Sequence, residues 1–81
     1  MSMTYFRNQY RDIEERIAAV DPATFQGRRL VIRLFDEQAA LYRELRGHPT
    51  LNNNETLLSL DSRVFAAVLR KLVECVRRTY Y

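Results

Sequence analysis

The chain has 81 residues, of which 47% are hydrophobic, and its formal net charge at pH 7 is +3. This length predicts a single domain, residues 1–81, near the lower limit of what a hydrophobic core alone can hold together. The composition excludes a disordered chain, the single cysteine excludes an internal disulfide, and a charge of +3 is too small to indicate nucleic-acid binding by itself.

The first predicted element is a helix that Thr4 can cap and that runs to about Ala19. Its apolar residues are spaced by four, three, four and three positions, as in a heptad seam: Phe6, Tyr10, Ile13, Ile17 and Val20. A seam this narrow predicts a helix that packs in one groove and has water on its other sides.

The pair Asp21-Pro22 predicts a short helical turn, because Asp is a good N-cap and Pro is favoured at the first helical position. We expect Gly27 to interrupt that turn. A second long helix should follow from about Arg28 to Arg46.

On a helical wheel, the apolar residues of this second helix share one side: Leu30, Val31, Leu34, Phe35, Ala39, Leu41, Tyr42 and Leu45. Gln38 is the only polar residue among them. Gly47 and Pro49 predict the end of the helix.

Residues 29–34 also have an alternative interpretation as a β-strand that precedes a helix, which resembles the ribbon–helix–helix pattern of DNA-binding proteins. In that arrangement Arg29, Val31 and Arg33 would share one face of the strand. The helical interpretation accounts for all of residues 28–46, whereas the strand accounts for six of them. The first helix and the long turn before the last one also depart from that family's layout, so we favour the helix.

After the polar loop, Asn54 is expected to cap a short helix, because Asn side chains favour turns and caps. If that helix continued to the end of the chain, Asp61 would fall in the middle of its apolar face, where an unpaired carboxylate is costly. We therefore expect a break in which Asp61 caps the last helix and Leu60 packs on Phe65. The predicted fold is all-α: a small three-helix antiparallel bundle with a short extra helix before the last long one.

The last helix, over residues 61–79, has an apolar arc that covers about half of its circumference, more than a surface helix normally shows. The arc contains Val64, Phe65, Val68, Leu69, Leu72, Val73, Cys75 and Val76. The apolar seam of the first helix is too narrow to cover both this arc and the apolar arc of the second helix. We therefore expect part of the apolar surface to be shared with another copy, in a two-fold homodimer.

The exposed side of the last helix is basic, and only Glu74 offsets its charge. We interpret it as a candidate partner-binding site that comprises Arg63, Arg70, Lys71, Arg77 and Arg78, with Tyr80 and Tyr81 as weaker additions. Arginine and tyrosine are typical of interaction hot spots, and the ridge suits an acidic protein surface or phosphates. A solvated face with Arg70–Glu74 and Glu74–Arg78 ion pairs is the competing explanation.

No catalytic, cofactor or metal-binding motif is apparent. For His48, the only histidine, the sequence indicates no nucleophile or carboxylate partner. We interpret Cys75 as a small buried apolar residue. We expect no enzymatic activity and no cofactor. With no signal-peptide pattern and no membrane-spanning run, a cytoplasmic location is the default expectation.

These observations predict a small non-enzymatic protein-binding module, such as an adaptor, inhibitor or regulator, that occupies the surface of a partner protein. The alternative is a dimeric DNA-binding regulator that uses the basic ridge or the ribbon-like segment. Binding to DNA would weaken steeply with salt.

Overall fold

The computed structural model describes the backbone of residues 2–80 and the side chains of residues 2–78. It contains three α-helices, α1 Met3–Ala18, α2 Phe25–Arg46 and α3 Glu55–Tyr80, and no strand within the described residues. All three helices pack against one another. The predicted all-α three-helix bundle is therefore confirmed, and residues 29–34 are helical and not a ribbon.

Cross-helix contacts define the direction of each helix. Tyr10 of α1 contacts Asp61 of α3, and Val20, just after the end of α1, contacts Lys71 further along α3. α1 and α3 therefore run in the same direction. Along α2 the order is reversed, since Gln38 contacts Asp61 and Phe35 contacts Phe65. The topology is up-down-up.

The heptad seam of α1 is buried as predicted. The cap differs: the hydroxyl of Ser2, and not of Thr4, accepts the hydrogen bond from the Tyr5 amide. Ser2 has the extended backbone that an N-cap needs.

The start of α2 corrects two predictions. No helix forms at Asp21-Pro22, but a single hydrogen-bonded turn does: the Asp21 carbonyl accepts from the Thr24 amide at 3.3 Å, and its carboxylate accepts from the Ala23 amide at 2.9 Å. Gly27 does not interrupt the helix, because α2 begins at Phe25 and Thr24 is its N-cap. The Thr24 hydroxyl accepts a hydrogen bond from the Gly27 amide at 2.9 Å.

The expected break at Asp61 is wrong, and so is the short extra helix before it. α3 is continuous from Glu55, capped by Asn54, whose side chain accepts a hydrogen bond from the Leu57 amide at 3.0 Å as predicted. Asp61 is buried in the apolar face of α3. The cost of burying its carboxylate is met by donors from the other two helices, which the sequence of α3 alone does not reveal.

The core runs the length of the bundle between the three helices. Its most buried large side chains are Phe6, Tyr10, Ile17, Val31, Leu34, Leu45, Leu57, Val64 and Val68. Each such side chain stabilises the fold by roughly 1.5–3 kcal/mol relative to an exposed one. No helix among the described residues is long and apolar enough to cross a membrane.

Candidate interaction surfaces

The basic ridge of α3 divides into two groups. Arg63 and Lys71 are engaged with α1: the Arg63 guanidinium donates to both carboxylate oxygens of Glu14 at 2.9 and 3.1 Å. The Lys71 ammonium donates to the Val20 carbonyl at 2.8 Å, just beyond the C-terminal end of α1. A cation in this position also interacts favourably with the dipole of that helix.

The second group, which we name the arginine cluster, consists of Arg70, Arg77 and Arg78. All three side chains are exposed, and none forms an ion pair with another described side chain. The Arg70–Glu74 and Glu74–Arg78 pairs of the solvated-face explanation are absent among the described residues. The side chains of Tyr80 and Tyr81 lie outside the described part of the chain.

A second surface is apolar and lies on the side of the bundle opposite α1. We name it the α2–α3 face; it comprises Phe25, Ile32, Phe35, Ala39 and Tyr42 of α2, and Phe65, Leu69, Leu72, Val73 and Val76 of α3. Phe25 is 64% exposed, Ile32 58%, Val73 48% and Val76 50%. Every exposed large hydrophobic side chain within the described residues belongs to this face. The wide arcs of the sequence predicted excess apolar surface, but not that it would collect on one side.

Charged side chains border the α2 edge of this face. The Arg29 guanidinium lies 5.8 Å from the centre of the Phe25 ring, a cation–π contact. Asp36 lies on the same edge, seven residues further along the helix. Neither residue forms an ion pair with a described side chain.

Asp61, at the level of the middle of the bundle, is bonded to both other helices. One carboxylate oxygen accepts hydrogen bonds from the Tyr10 hydroxyl at 2.7 Å and from the Gln38 amide at 2.9 Å. Burial, together with the hydrogen bond to Asp61, raises the pKa of Tyr10 well above its usual range. The hydroxyl therefore stays protonated and remains a donor.

The other side chains that could take part in catalysis or metal binding have structural roles instead. The Nδ1 atom of His48 accepts hydrogen bonds from the Thr50 and Leu51 amides, which closes the turn after α2. Cys75 is buried on the inner side of α3. Among the described residues, no group of three His, Cys, Asp or Glu side chains is placed to hold a metal ion.

A comparison with known proteins gave no match: no family model fits the sequence, and no curated protein or solved structure is significantly similar to the chain.

Proposed function

We propose that the chain is a small non-enzymatic protein-binding module, an adaptor, inhibitor or regulator, that acts by occupying the surface of a partner protein. The observation that carries this proposal is the arginine cluster. Arg63 and Lys71 are engaged with α1, whereas Arg70, Arg77 and Arg78 are exposed and without an ion pair among the described side chains.

The chemistry of the arginine cluster favours an acidic protein surface as the partner. A guanidinium presents donors in a planar fork that matches a carboxylate, and arginine stays charged at every physiological pH. Because the three side chains are on the last turns of one rigid helix, their spacing is fixed before binding. This preorganisation lowers the entropy that association costs.

The test compares two double variants in an affinity capture from cell lysate, with bound proteins quantified by mass spectrometry. Arg70→Ala with Arg77→Ala removes two members of the cluster. Arg7→Ala with Arg11→Ala removes two exposed arginines of α1 that form no ion pair with a described side chain. We expect the cluster variant to lose a specific acidic partner, with affinity reduced about tenfold for two charge contacts, and the α1 variant to retain it. Helicity should be unchanged in both. Identical capture by both variants would reject the proposal.

A DNA duplex is the competing partner, because arginines also contact phosphates. Three phosphate contacts would weaken binding by about 40-fold when salt is raised from about 50 to 200 mM. Fluorescence anisotropy with a mixed-sequence duplex measures this directly. Salt-sensitive binding that the cluster variant loses and the α1 variant retains would replace the protein-binding proposal with the DNA-binding one.

A further inference from the structure

We infer that a second copy of this chain covers the α2–α3 face, in a two-fold dimer in which α2 packs on α2 and α3 on α3, each in antiparallel orientation. This inference does not depend on the arginine cluster. A monomer in solution would overturn it and leave the proposed protein-binding function standing.

The first argument is the difference between the three grooves that separate the helices. The α1–α3 groove is bridged at the surface by Arg63 and Lys71. The α1–α2 groove is bridged by Arg16, which donates to Glu37 at 2.8 Å, and by the Tyr5 hydroxyl. No ion pair among the described side chains crosses the outer surface of the α2–α3 groove, where apolar side chains are exposed instead.

The second argument is size. From Phe25 to Tyr42 the face is about 26 Å long at 1.5 Å per residue, and two helices packed 8–10 Å apart make it about 18 Å wide. Its projected area is therefore about 470 Å², before the relief of the side chains is counted. Stable interfaces bury about 600–1,000 Å² of accessible surface per partner, and weak ones bury less. A face of this size therefore fits a weak dimer.

The third argument is charge. Arg29 and Asp36 lie on one edge of the face, seven residues apart, with Ile32 at the level between them. An antiparallel two-fold axis at that level brings Arg29 of each copy to Asp36 of the other, which forms two symmetric ion pairs. Such reciprocal contacts are what a two-fold interface requires.

The same axis gives matching apolar contacts. The level of Ile32 on α2 corresponds to residues 67–68 on α3, as the Gln38–Asp61 and Phe35–Phe65 contacts define. Leu69 of one copy then lies over Phe65 of the other. The large Phe25 ring lies over the small Ala39, so large and small side chains alternate across the interface.

The direction of the axis also follows from charge. If the axis ran along the helices, the two arginine clusters would lie together at one end of the dimer and repel each other. An axis perpendicular to the helices places them at opposite ends. Like charges brought together disfavour an interface, so the perpendicular axis is favoured.

The dimer is tested by sedimentation equilibrium from micromolar to submillimolar concentration, with helicity measured in parallel. We expect the wild type to reach the mass of two chains and Ile32→Glu to remain a monomer with unchanged helicity. Asn8→Glu, an exposed change on α1, is the matched control and should dimerise like the wild type. A wild type that is monomeric throughout this range overturns the inference.

Charge reversal tests the register. Arg29→Glu and Asp36→Arg each place like charges opposite one another twice per dimer, so each should raise the dissociation constant about tenfold. The double variant R29E/D36R restores both pairs and should return the constant to within about twofold of the wild type. Arg11→Glu controls for net charge and should leave it unchanged. Single variants without effect, or a double variant without rescue, would overturn this arrangement.

Discussion

The Asp61 carboxylate is the residue-scale feature on which the interior of the bundle most depends. It is buried among apolar side chains, and its hydrogen-bond donors are a tyrosine of α1 and a glutamine of α2. A buried carboxylate that loses a donor is costly, because nothing replaces the solvation it gave up on folding.

We therefore expect Tyr10→Phe to destabilise the fold by about 1.5–3 kcal/mol, the usual contribution of a hydrogen bond to a charged group. The ring and its packing are retained, so the lost hydroxyl is the whole change. Urea unfolding followed by circular dichroism measures the effect. Tyr42→Phe, on the exposed face, is the control and should change stability by less than about 0.5 kcal/mol. Equal effects of the two variants would show that the Tyr10–Asp61 bond contributes nothing.

The same hydroxyl makes stability depend on alkaline pH. The pKa of Tyr10 is raised in the folded state, by burial first and by Asp61 second, so the unfolded chain loses this proton more readily. The resulting stabilisation is complete below the ordinary tyrosine pKa of about 10 and declines as pH rises above it. The stability difference between wild type and Tyr10→Phe should shrink by about 1 kcal/mol between about pH 8 and pH 11. Tyr5, whose pKa is also raised, is present in both proteins. A pH-independent difference would contradict the assignment.

At the scale of elements, the start of α2 depends on the absence of a side chain at Gly27. A Cβ atom there would collide with the backbone carbonyl oxygen of Asp21, which itself accepts hydrogen bonds from the Thr24 amide and hydroxyl. The turn and the first turn of the helix are packed backbone to backbone. The glycine is needed for this close approach.

Gly27→Ala should consequently destabilise the fold by about 1–3 kcal/mol, the usual cost of overpacking. Gly47→Ala is the matched control, because its Cβ would lie 3.3 Å from the Arg43 carbonyl oxygen and its backbone is already right-handed helical. We expect the control to stay within about 1 kcal/mol of the wild type. Thermal unfolding measures the loss of stability in each variant. Similar losses in both would show that the turn at Asp21 moves to accept the added methyl group at little cost.

The helices themselves could be predicted from the sequence, because the apolar spacing of α1 and α2 depends only on helical geometry. The two errors at Gly27 and Asp61 have a common cause. In each case the deciding contact comes from a distant or differently folded backbone segment: the Asp21 carbonyl for Gly27, and Tyr10 with Gln38 for Asp61. Gln38, the one polar residue on the apolar side of its helix, was the available signal for a buried acceptor nearby.

The two surfaces were predictable to different degrees. The excess of basic residues on α3 is visible in the sequence, but not that Glu14 would engage Arg63, since the residues are on different helices. The width of the apolar arcs was likewise visible. Their convergence on the side opposite α1 depends on how the three helices rotate about their axes, which only packing decides.

At the scale of the whole molecule, the bundle is a rod whose Cα atoms span 45 × 16 × 16 Å. The arginine cluster lies at the end where α3 finishes, while the apolar face runs along the side. These surfaces can therefore be occupied at the same time. In the proposed dimer the two arginine clusters lie at opposite ends, so one dimer would present two equivalent binding sites that face away from each other.

The hydrogen bonds of Asp61 also determine the axial alignment of the helices. Both donors reach the same oxygen atom, so a slide of either neighbouring helix by one turn, about 5.4 Å, would separate a donor from its acceptor. Apolar heptad seams alone tolerate such slides, because apolar residues recur every three or four positions, which is about one turn. A single buried polar group can thus select one register from several of similar packing quality, as polar residues do in coiled coils. In this bundle, the hydrogen bonds of Asp61 fix the axial register of all three helices.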